Sequence, residues 1–557
     1  MLLSKTQYAQ SALWKLEISG LPKSEFISYT TAFQDSVAVI DEINRVYDAL
    51  TSKGYFYAIV DQKTWEKRFC KIHFEIGQPY KILDITNGNV AAAALYDTKF
   101  REKAYNNIHF DLIQLQQLKE NLVHWYENNG YPFAKIWLDS FQLHQNALSV
   151  KLYAEPGDKI YIDTIKIVGS ASVNTSFLSS HISIKQGDIY NEDKVKRIDD
   201  RLSQLPYLKV VKKKQIDFIG DKAHLNIFID KEGANQFDGL IGFLPNQTTG
   251  KLQMSGDFKL KLQNVFKAGE SLAFNYRGLP QQVQELDLSA KYPYLFGTQL
   301  GIKGDLAFFK QDTTYLNLNT KFSFVYNYSP QRSVSFFVEN FNGTKLAEQN
   351  LGDTPLADIN TLFYGVESEL YKVDNGLMPL KGYKLYAYFG AGNRRATEEI
   401  IAQPERLLVK SSQFKVKTDL NYYLKVSKIS VLYLHNLSAL LTGKDLYENE
   451  IFRIGGSKTL RGFDEQQFKV SSFSVQTVEY RHYIESASYV NVFYEQAFLK
   501  QLTLNESKTI LPFSFGVGAT FSTKVGLLSF NYALGKQQNI PLDLQKGKIH
   551  FGIVSYF

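Results

Sequence analysis

The sequence has very little cysteine, tryptophan and methionine, with 1 Cys, 4 Trp and 3 Met in 557 residues. The single cysteine, Cys70, excludes an internal disulfide and any metal site built from several cysteines. The 9 histidines are scattered along the chain, which leaves little for a histidine-rich metal cage. We therefore expect no metal ion and no other cofactor.

Long hydrophobic runs are also missing. A membrane-spanning helix needs about 20 consecutive apolar residues, and the apolar run at residues 91–95 is far shorter. A spanning helix is therefore excluded. The first six residues lack the basic start, the apolar stretch and the cleavage site of a secretory signal. Either the protein is cytoplasmic or the export signal is missing from this version of the chain.

Charge of one sign is in small excess. The chain has 63 Lys+Arg against 56 Asp+Glu, a formal net charge of +7, which does not indicate a nucleic-acid partner. No Gly-x-Ser-x-Gly or His-Glu-x-x-His motif supports a hydrolase or a metalloenzyme, so the sequence predicts no enzyme. Phenylalanine and tyrosine, in contrast, are abundant, with 40 Phe and 35 Tyr.

A helix, a turn and a strand recur three times in the first half of the chain. The turn dipeptides, evenly spaced, are Gly54-Tyr55, Gly130-Tyr131 and Pro206-Tyr207. Glycine caps the end of a helix in a left-handed conformation, and proline cannot continue a helix. The even spacing predicts three tandem copies of one small α+β domain, bounded at residues 1–79, 80–157 and 158–232.

From about Gln236 onward the sequence alternates with period two between turn signals. In Leu316 to Tyr326, one face carries Leu, Thr, Phe and Tyr, and the other is mostly Asn, Lys and Ser. A large soluble β-sandwich would give the same alternation. About sixteen such stretches, with turns roughly 20 residues apart, favour the long tilted strands of a barrel instead.

The aromatic residues of this second half cluster near the ends of the predicted strands, as at residues 292–296. Such clusters are typical of the aromatic girdles at the two edges of a bilayer. Hydrocarbon cannot solvate free backbone groups, so only a helix or a closed sheet spans it. We therefore predict that residues 233–557 form a 16-stranded antiparallel transmembrane β-barrel.

One segment between two predicted strands, IFRIGGSKTLRGF at Ile451 to Phe463, resembles the signature of a known family. The family is the Omp85 superfamily of outer-membrane barrels with periplasmic POTRA domains. The matching residues are Gly455, Gly456, Arg461, Gly462 and Phe463. The three repeats resemble POTRA domains, and their number resembles the TamA branch more than the BamA branch, which has more of them. The resemblance implies a bacterial outer-membrane protein with its N-terminal half in the periplasm.

In this family the motif lies on a loop that folds back into the barrel lumen. An arginine there needs a carboxylate partner, because a desolvated guanidinium left unpaired is costly. Glu479 and Glu495 lie in the next two predicted strands, on faces expected to point inward. The family usually has Phe-x-Asp at the second place, and residues 493–495 carry Glu instead of Asp. We predict that Arg461 pairs with Glu495, with Glu479 or with both, and that this pairing holds the loop inside.

The last predicted strand ends on an aromatic residue. Its alternating apolar positions resemble the C-terminal signal by which outer-membrane barrels are recognised for assembly, and they are Ile549, Phe551, Ile553 and Phe557. The resemblance also implies a seam between this strand and the first one, near residues 236–243.

Two functions remain open from the sequence. The first is a factor that inserts or exports client proteins at the outer membrane through the seam. Its partners would be the lipid bilayer, unfolded outer-membrane or secreted clients, and a periplasmic or inner-membrane-anchored protein at the POTRA domains. The second is a two-partner secretion-type pore for one dedicated exoprotein, for which two POTRA units and a plug helix are expected. A passive porin is disfavoured by the POTRA-like half.

Overall fold

The structure, a computed structural model, describes residues 13–22, 27–245, 252–279, 283–346, 356–375, 378–399, 406–485, 487–502, 507–523, 526–537 and 547–556. Its internal contacts divide the chain into two compact units. The first unit consists of Met1–Thr164, Gln186–Lys196 and Ile216–His224, and the second of Ile165–Lys185, Arg197–Gln215 and Leu225–Phe557.

The first unit contains two four-stranded sheets. The elements of the first sheet and its helix are β1 (Trp14–Ser19), β2 (Ala32–Phe33), α1 (Ser36–Ser52), β3 (Ile59–Glu66) and β4 (Phe69–Glu75). Those of the second are β5 (Lys81–Asn87), α2 (Ala92–Asp97), β6 (Ile108–His109), α3 (Leu112–Asn128), β7 (Lys135–His144) and β8 (Ala147–Glu155). Their strand orders, β2-β1-β4-β3 and β6-β5-β8-β7, are equivalent. The two central strands are parallel in each sheet, β1 with β4 and β5 with β8. The sequence repeat is thus a repeat of topology.

The long helices end where the glycine signals predict. Gly54 follows α1 with a φ of +89°, and Tyr55 donates its N–H to the carbonyl of Leu50 at 3.1 Å. Gly130 follows α3 with a φ of +97°, and Tyr131 makes the equivalent bond at 2.9 Å. These bonds satisfy carbonyls that a helix leaves free at its C-terminus. Both predicted glycine stops are confirmed.

Each of the two long helices buries one face against its sheet. The buried positions, three or four residues apart, are Val39, Ile43, Val46 and Leu50 in α1 and Leu115, Leu118, Leu122 and Tyr126 in α3. That spacing is the apolar stripe of an amphipathic helix. Cys70 lies in the α1 core, where burial raises the pKa of its thiol. A protonated, buried thiol is chemically inert.

The third repeat contributes residues to both units. Its elements are β9 (Tyr161–Val168), α4 (Thr175–Ile182), α5 (Glu192–Lys196), α6 (Ile198–Leu202), β10 (Leu208–Ile219) and β11 (Lys222–Lys231), with the sheet order β10-β11-β9. Within the second unit, α4 contacts two turns at one end of the barrel. Gln299 donates Nε2–H to the carbonyl of Ser180 at 3.0 Å, and Asn174 donates its N–H to the carbonyl of Lys267 at 2.7 Å. No helix in the described part of the chain is long and apolar enough to cross a bilayer.

The rest of the second unit is a closed antiparallel barrel. Its strands, together with the loop strands β23 and β24, are β12 (Gln236–Pro245), β13 (Leu252–Gln263), β14 (Ser271–Leu279), β15 (Val283–Tyr292), β16 (Leu300–Gln311), β17 (Tyr315–Ser329), β18 (Arg332–Lys345), β19 (Asp358–Val373), β20 (Gly382–Glu399), β21 (Arg406–Lys425), β22 (Ser430–Thr442), β23 (Phe452–Ile454), β24 (Phe468–Val470), β25 (Ser472–Glu485), β26 (Ser488–Leu502), β27 (Ser507–Ile510), β28 (Phe513–Thr523), β29 (Gly526–Lys536) and β30 (Lys548–Tyr556).

The barrel wall has 16 strands, because β27 and β28 pair with successive stretches of β26 and form one strand interrupted at residues 511–512. The hairpin of β23 and β24 is separate from the wall. The predicted fold class, α+β repeats followed by a 16-stranded antiparallel barrel, is confirmed.

The two faces of the strands decide between a barrel and a sandwich. In β17 and β18, Phe324 and Phe336 point outward and are 60% and 64% exposed. Ser323 and Glu339, on the opposite face, are 0% and 2% exposed. A soluble sandwich would bury the aromatic face and expose the polar one. The apolar face therefore forms the outside of the barrel, and the polar face lines its lumen.

Candidate functional site

The loop between β22 and β25 carries the family motif and contains the β23–β24 hairpin. Gly455 and Gly456 follow β23 with φ values of +128° and +91°. A Cβ on Gly455 would lie 2.3 Å from the carbonyl oxygen of Asp464, and one on Gly456 would lie 2.1 Å from the carboxyl carbon of Glu465. Only glycine fits both the left-handed backbone and the close return of the chain.

Arg461 lies against both carboxylates that the sequence offered as partners. Its Nε is 2.7 Å from Glu495 Oε1, and its Nη1 is 2.9 Å from Glu479 Oε2. The backbone N–H of Arg461 donates to Glu495 Oε2 at 2.8 Å. Its guanidinium also stacks 3.4 Å above the centre of the Phe493 ring. The longer glutamate side chain, in place of the family's aspartate, reaches the arginine from β26.

The carboxylates belong to a larger buried cluster. Glu479 and Glu495 are each 4% exposed. Arg481 Nε donates to Glu479 Oε1 at 2.8 Å, and Ser514 Oγ donates to Glu495 Oε2 at 3.1 Å. Two buried carboxylates are thus matched by two guanidinium groups, as buried charges require. The sequence did not assign Arg481 to Glu479, although their spacing of two residues places both on one strand face.

Gly462 and Phe463 fix the position of the loop tip. Gly462 has a φ of +84°, and a Cβ there would lie 2.7 Å from the backbone nitrogen of Gly535 in β29. Phe463 is buried beside Phe468, with 5.2 Å between the ring centres. The tip therefore lies directly on the inner wall, with no room for a side chain at Gly462.

The base of the loop has an anchor that the sequence did not reveal. Arg394 of β20 is buried, and its Nη2 lies 3.1 Å from Glu450 Oε1. Its guanidinium also donates to the carbonyls of Lys444 and Asp445, at 2.6 and 2.7 Å, and stacks 4.8 Å from the centre of the Tyr447 ring. Period-two alternation places Arg394 inward, but nothing local points to its partner in the loop.

Other ion pairs join strands along the inner face of the barrel wall. They join Lys415 of β21 to Glu339 of β18 at 2.7 Å, Lys321 of β17 to Glu367 of β19 at 2.7 Å, and Lys291 of β15 to Glu369 of β19 at 3.2 Å. The paired strands are not neighbours in the sheet. The side chains therefore bridge strands across the curved inner wall.

The seam between the first and last strands is the weakest junction of the described barrel. Among the described residues, only Gln236 with Tyr556 and Phe237 with Ser555 pair across it. On its other edge, β12 pairs with β13 along its whole length, from Gln236 to Pro245. Beyond Phe237, the edge of β12 that faces β30 has no ladder partner among the described residues, and such an edge is free to accept another strand.

Three of the four residues of the proposed C-terminal signal lie in β30. Ile549 and Phe551 point outward and are 64% and 54% exposed, and Phe551 pairs with Phe530 of β29. Ile553 pairs with Leu528, and Phe557 lies outside the described residues. Their role in recognition remains a prediction.

A barrel with an apolar outside that holds its own arginine-bearing loop in the lumen, after α+β repeats, defines the class of transmembrane β-barrels with N-terminal α+β domains. A family model described as the Omp85 superfamily domain matches residues 264–557, and one described as POTRA, surface antigen variable number repeat, matches residues 160–232. The first match covers more than half of the chain. The chain therefore belongs to the Omp85 superfamily, as its loop motif predicted.

Individual relatives are distant. The chain is 24% identical over 147 residues to the outer membrane protein assembly factor BamA of Neisseria meningitidis serogroup B, a match that covers 26% of this chain and 18% of that protein. CdiB from Escherichia coli is similar in fold, with 12% identity, a TM-score of 0.56 and coverage of 94% of this chain and 97% of that one. CdiB from Acinetobacter baumannii has 12% identity, a TM-score of 0.54 and coverage of 94% and 98%.

These comparisons agree with the prediction that the protein is not an enzyme, because the chain belongs to the Omp85 superfamily and the curated relative is named an assembly factor. Assignment to the TamA branch stays a prediction. The chain matches less than a fifth of the curated relative's length, so its activity, clients and partners are matters of proposal.

Proposed function

We propose that this protein is an outer-membrane assembly or translocation factor that helps insert or export client proteins through the seam between β12 and β30. The observation that carries the proposal is the contrast at β12. This strand pairs fully with β13 but through two residues with β30. A barrel that served only as a passive wall would gain stability from a complete ladder there.

An opened seam presents two rows of unpaired backbone groups. Each free N–H and C=O group buried in lipid is costly, so an incoming strand that pairs with the edge is stabilised. The client would add strands to one edge and leave once its own barrel closes. The free energy comes from folding of the client and from burial of its apolar face in hydrocarbon.

The first unit offers edges of the same kind for capture of clients or partners. β3 and β7 are the outer strands of their sheets. All eight residues of β3 are exposed, and Phe141 and Leu143 of β7 are 62% and 58% exposed. We propose that unfolded clients, or a periplasmic or inner-membrane-anchored partner, bind these strands by β-augmentation.

The outward apolar band supports placement of residues 233–557 in the bacterial outer membrane, with the three α+β repeats in the periplasm. The domain boundaries 1–79, 80–157 and 158–232 remain the proposed ones. Strands of the barrel carry Phe, Tyr, Leu and Val outward, and an apolar exterior of that kind is matched to lipid rather than to water.

A disulfide across the seam tests the proposal. Phe237 and Ser555 are direct partners, so cysteines at these positions can bridge. The single native cysteine is replaced by Cys70→Ser to give a clean background. We expect the oxidised Phe237→Cys/Ser555→Cys protein to stop inserting clients and to recover on reduction.

The matched control is Phe530→Cys/Phe551→Cys, a pair on β29 and β30 next to the seam. It adds the same covalent bond to a junction that does not need to open, so client insertion is expected to continue. Normal insertion by the oxidised seam variant would refute passage through the seam.

The alternative is a two-partner secretion-type pore that passes one exoprotein through the lumen. The similarity in fold to the two CdiB structures, which extends over 94% of this chain, makes this the second candidate. The buried Arg394–Glu450 pair, which holds the loop in the lumen, and the buried ion pairs on the inner wall argue against it, because an extended chain would have to displace several buried charges. Large steady conductance in planar bilayers with the seam locked would favour the pore.

A further inference from the structure

The tip of the lumen loop contacts strands on both sides of the seam. Asp464 Oδ1 lies 2.5 Å from Nζ of Lys548 in β30. The next residue, Glu465, contacts the opposite side, with its Oε2 3.3 Å from Nη1 of Arg277 in β14. β30 is the last strand of the barrel, and β14 is the third. Two consecutive loop residues therefore span the seam from the inside.

Contacts of the adjacent residues reinforce both ends of this span. Gln466 donates Nε2–H to Glu285 of β15. On the other side, the N–H of Gly462 faces Nε2 of His550 in β30 at 3.5 Å. The loop from 462 to 466 is thus held by β14 and β15 on one side and by β30 on the other, while the described part of the seam has two residue pairs in its backbone ladder.

The two ion pairs differ in strength. The side chains of Asp464 and Lys548 are 71% and 39% exposed, and exposed pairs contribute little to stability. Those of Arg277 and Glu465 are 12% and 31% exposed. Screening by water and salt is weaker at the second pair. The contact of Glu465 with β14 is therefore the stronger of the two.

Both members of the stronger pair are held in position by other groups. Arg277 lies 3.6 Å from carboxylate oxygens of Asp257 and Glu285 on the strands beside it. Glu465 accepts a hydrogen bond from the backbone N–H of Ser457 at 2.9 Å, across the turn made by the glycine pair. The close approach of Gly456 to Glu465 leaves that carboxylate little room to turn away.

We propose that Glu465 is a positioning residue that ties the lumen loop to β14 through Arg277, and that this tie keeps the seam between β12 and β30 closed until the loop is displaced. The inference rests on the proposed function, because it concerns the regulation of the same seam. The short backbone ladder between β12 and β30 is supplemented by the ion pair of Glu465 with Arg277, which links the loop to β14 without involving β12 or β13. Closure of the seam then depends on charge and weakens as salt rises.

The test uses the full-length protein in detergent, with Cys70→Ser and the seam pair Phe237→Cys/Ser555→Cys. The rate of disulfide formation under a mild oxidant reports how long the two strands stay together. Glu465→Gln is expected to slow cross-linking about threefold, in keeping with the loss of a partly exposed ion pair. High salt should slow the parent protein and leave Glu465→Gln unchanged.

Arg277→Gln removes the same ion pair by changing its member in the barrel wall. This variant is the test if Glu465→Gln does not migrate as a folded barrel. The double variant should cross-link no more slowly than Arg277→Gln alone, because Arg277→Gln already removes the contact with Glu465. The matched control is Glu448→Gln, which removes a carboxylate from the same loop whose partner, Lys469, also lies in the loop. Its cross-linking rate should equal that of the parent.

Cross-linking at the parental rate in folded Glu465→Gln and Arg277→Gln would overturn the tie. That result leaves the proposed function untouched, because blocked client insertion by the locked seam is measured separately. Conversely, normal client insertion by the locked seam refutes the proposed function whatever the cross-linking rates of the Glu465 variants are.

Discussion

Arg394 of β20 and Glu450 of the lumen loop form an ion pair of 3.1 Å whose side chains are 0% and 2% exposed. Gln413 donates Nε2–H to the same carboxylate at 2.6 Å. The loop therefore contacts the wall at its base through the buried guanidinium of Arg394 and near its tip through the partly buried guanidinium of Arg461.

Arg394→Met is expected to lower the free energy of unfolding of the barrel by about 3–5 kcal/mol, because Glu450 then stays buried without the guanidinium group that pairs with it. The measurement is urea unfolding of the protein refolded into detergent or lipid. Arg394→Met/Glu450→Gln should recover part of the loss. The control, Arg395→Met, changes the next residue on the exposed face, and a loss as large as that of Arg394→Met would contradict the assignment.

Replacement of Arg461 tests the tip of the loop. Arg461→Ala leaves two buried carboxylates short of a partner, so we expect the loop to leave the wall and become sensitive to protease. The amount of folded outer-membrane proteins in cells should fall, while the amount of this protein itself stays normal. Arg461→Lys keeps the charge but loses the fork that reaches Glu479 and Glu495 together, so an intermediate effect is expected.

The control for Arg461 is Lys469→Ala, a cation of the same loop whose side chain is 40% exposed. It should leave protease sensitivity and client levels unchanged. Wild-type client levels and a protected loop in Arg461→Ala would rule out the anchoring role.

Gly462→Ala tests the close approach of the loop tip to β29. The left-handed backbone and a Cβ contact of 2.7 Å leave no room for a methyl group. We expect a loss of about 1–3 kcal/mol in loop-dependent stability, read as a lower thermal midpoint. Gly304→Ala, in β16, is the control because nothing lies within 4 Å of its Cβ position. Equal midpoints for the two variants would contradict the packing.

His181 of α4 predicts a dependence of stability on pH. Its Nε2–H donates to the carbonyl of Arg201 at 2.9 Å, and its ring stacks on Phe177 and contacts Tyr294. Burial, with a smaller contribution from the Arg201 charge, lowers the pKa of His181 from 6.5 to about 4. Between about pH 4 and pH 6.5, the unfolded chain therefore binds a proton at His181 that the folded chain does not bind.

The contribution of His181 to the free energy of unfolding is therefore complete above about pH 6.5. Below that pH the free energy of unfolding falls by up to about 1.4 kcal/mol per pH unit, down to about pH 4. Urea midpoints across this range give the measurement. His181→Gln should flatten the dependence, whereas His144→Gln, on the exposed strand β7, should not. An unchanged slope in His181→Gln would show that other groups cause it.

Local patterns were sufficient for the fold and for one end of the loop. Alternation of side chains placed Ser323 inside and Phe324 outside, and glycine signals marked the ends of α1 and α3. The carboxylates near Arg461 were found because they follow in the next two strands on the inward face. In each case the information lies within a few residues or one strand of the motif.

The remaining contacts depend on closure of the whole sheet. Arg277 and Glu465 are 188 residues apart and come together only when the loop enters a closed barrel. Arg394 likewise meets Glu450 through three-dimensional placement of the loop, which no strand period encodes. The interruption of one wall strand at residues 511–512 was not predicted from the sequence; it includes Pro512, which has no N–H to donate to a ladder.

The seam also sets the order of events when this chain folds. Gln236 and Tyr556 come from opposite ends of the barrel sequence, so their pairing has the largest loop-closure entropy of any junction in the wall and can form only after the last strand has been made. Until then the nascent barrel has two open edges. Its own final step is thus the same reaction that we propose it performs for its clients.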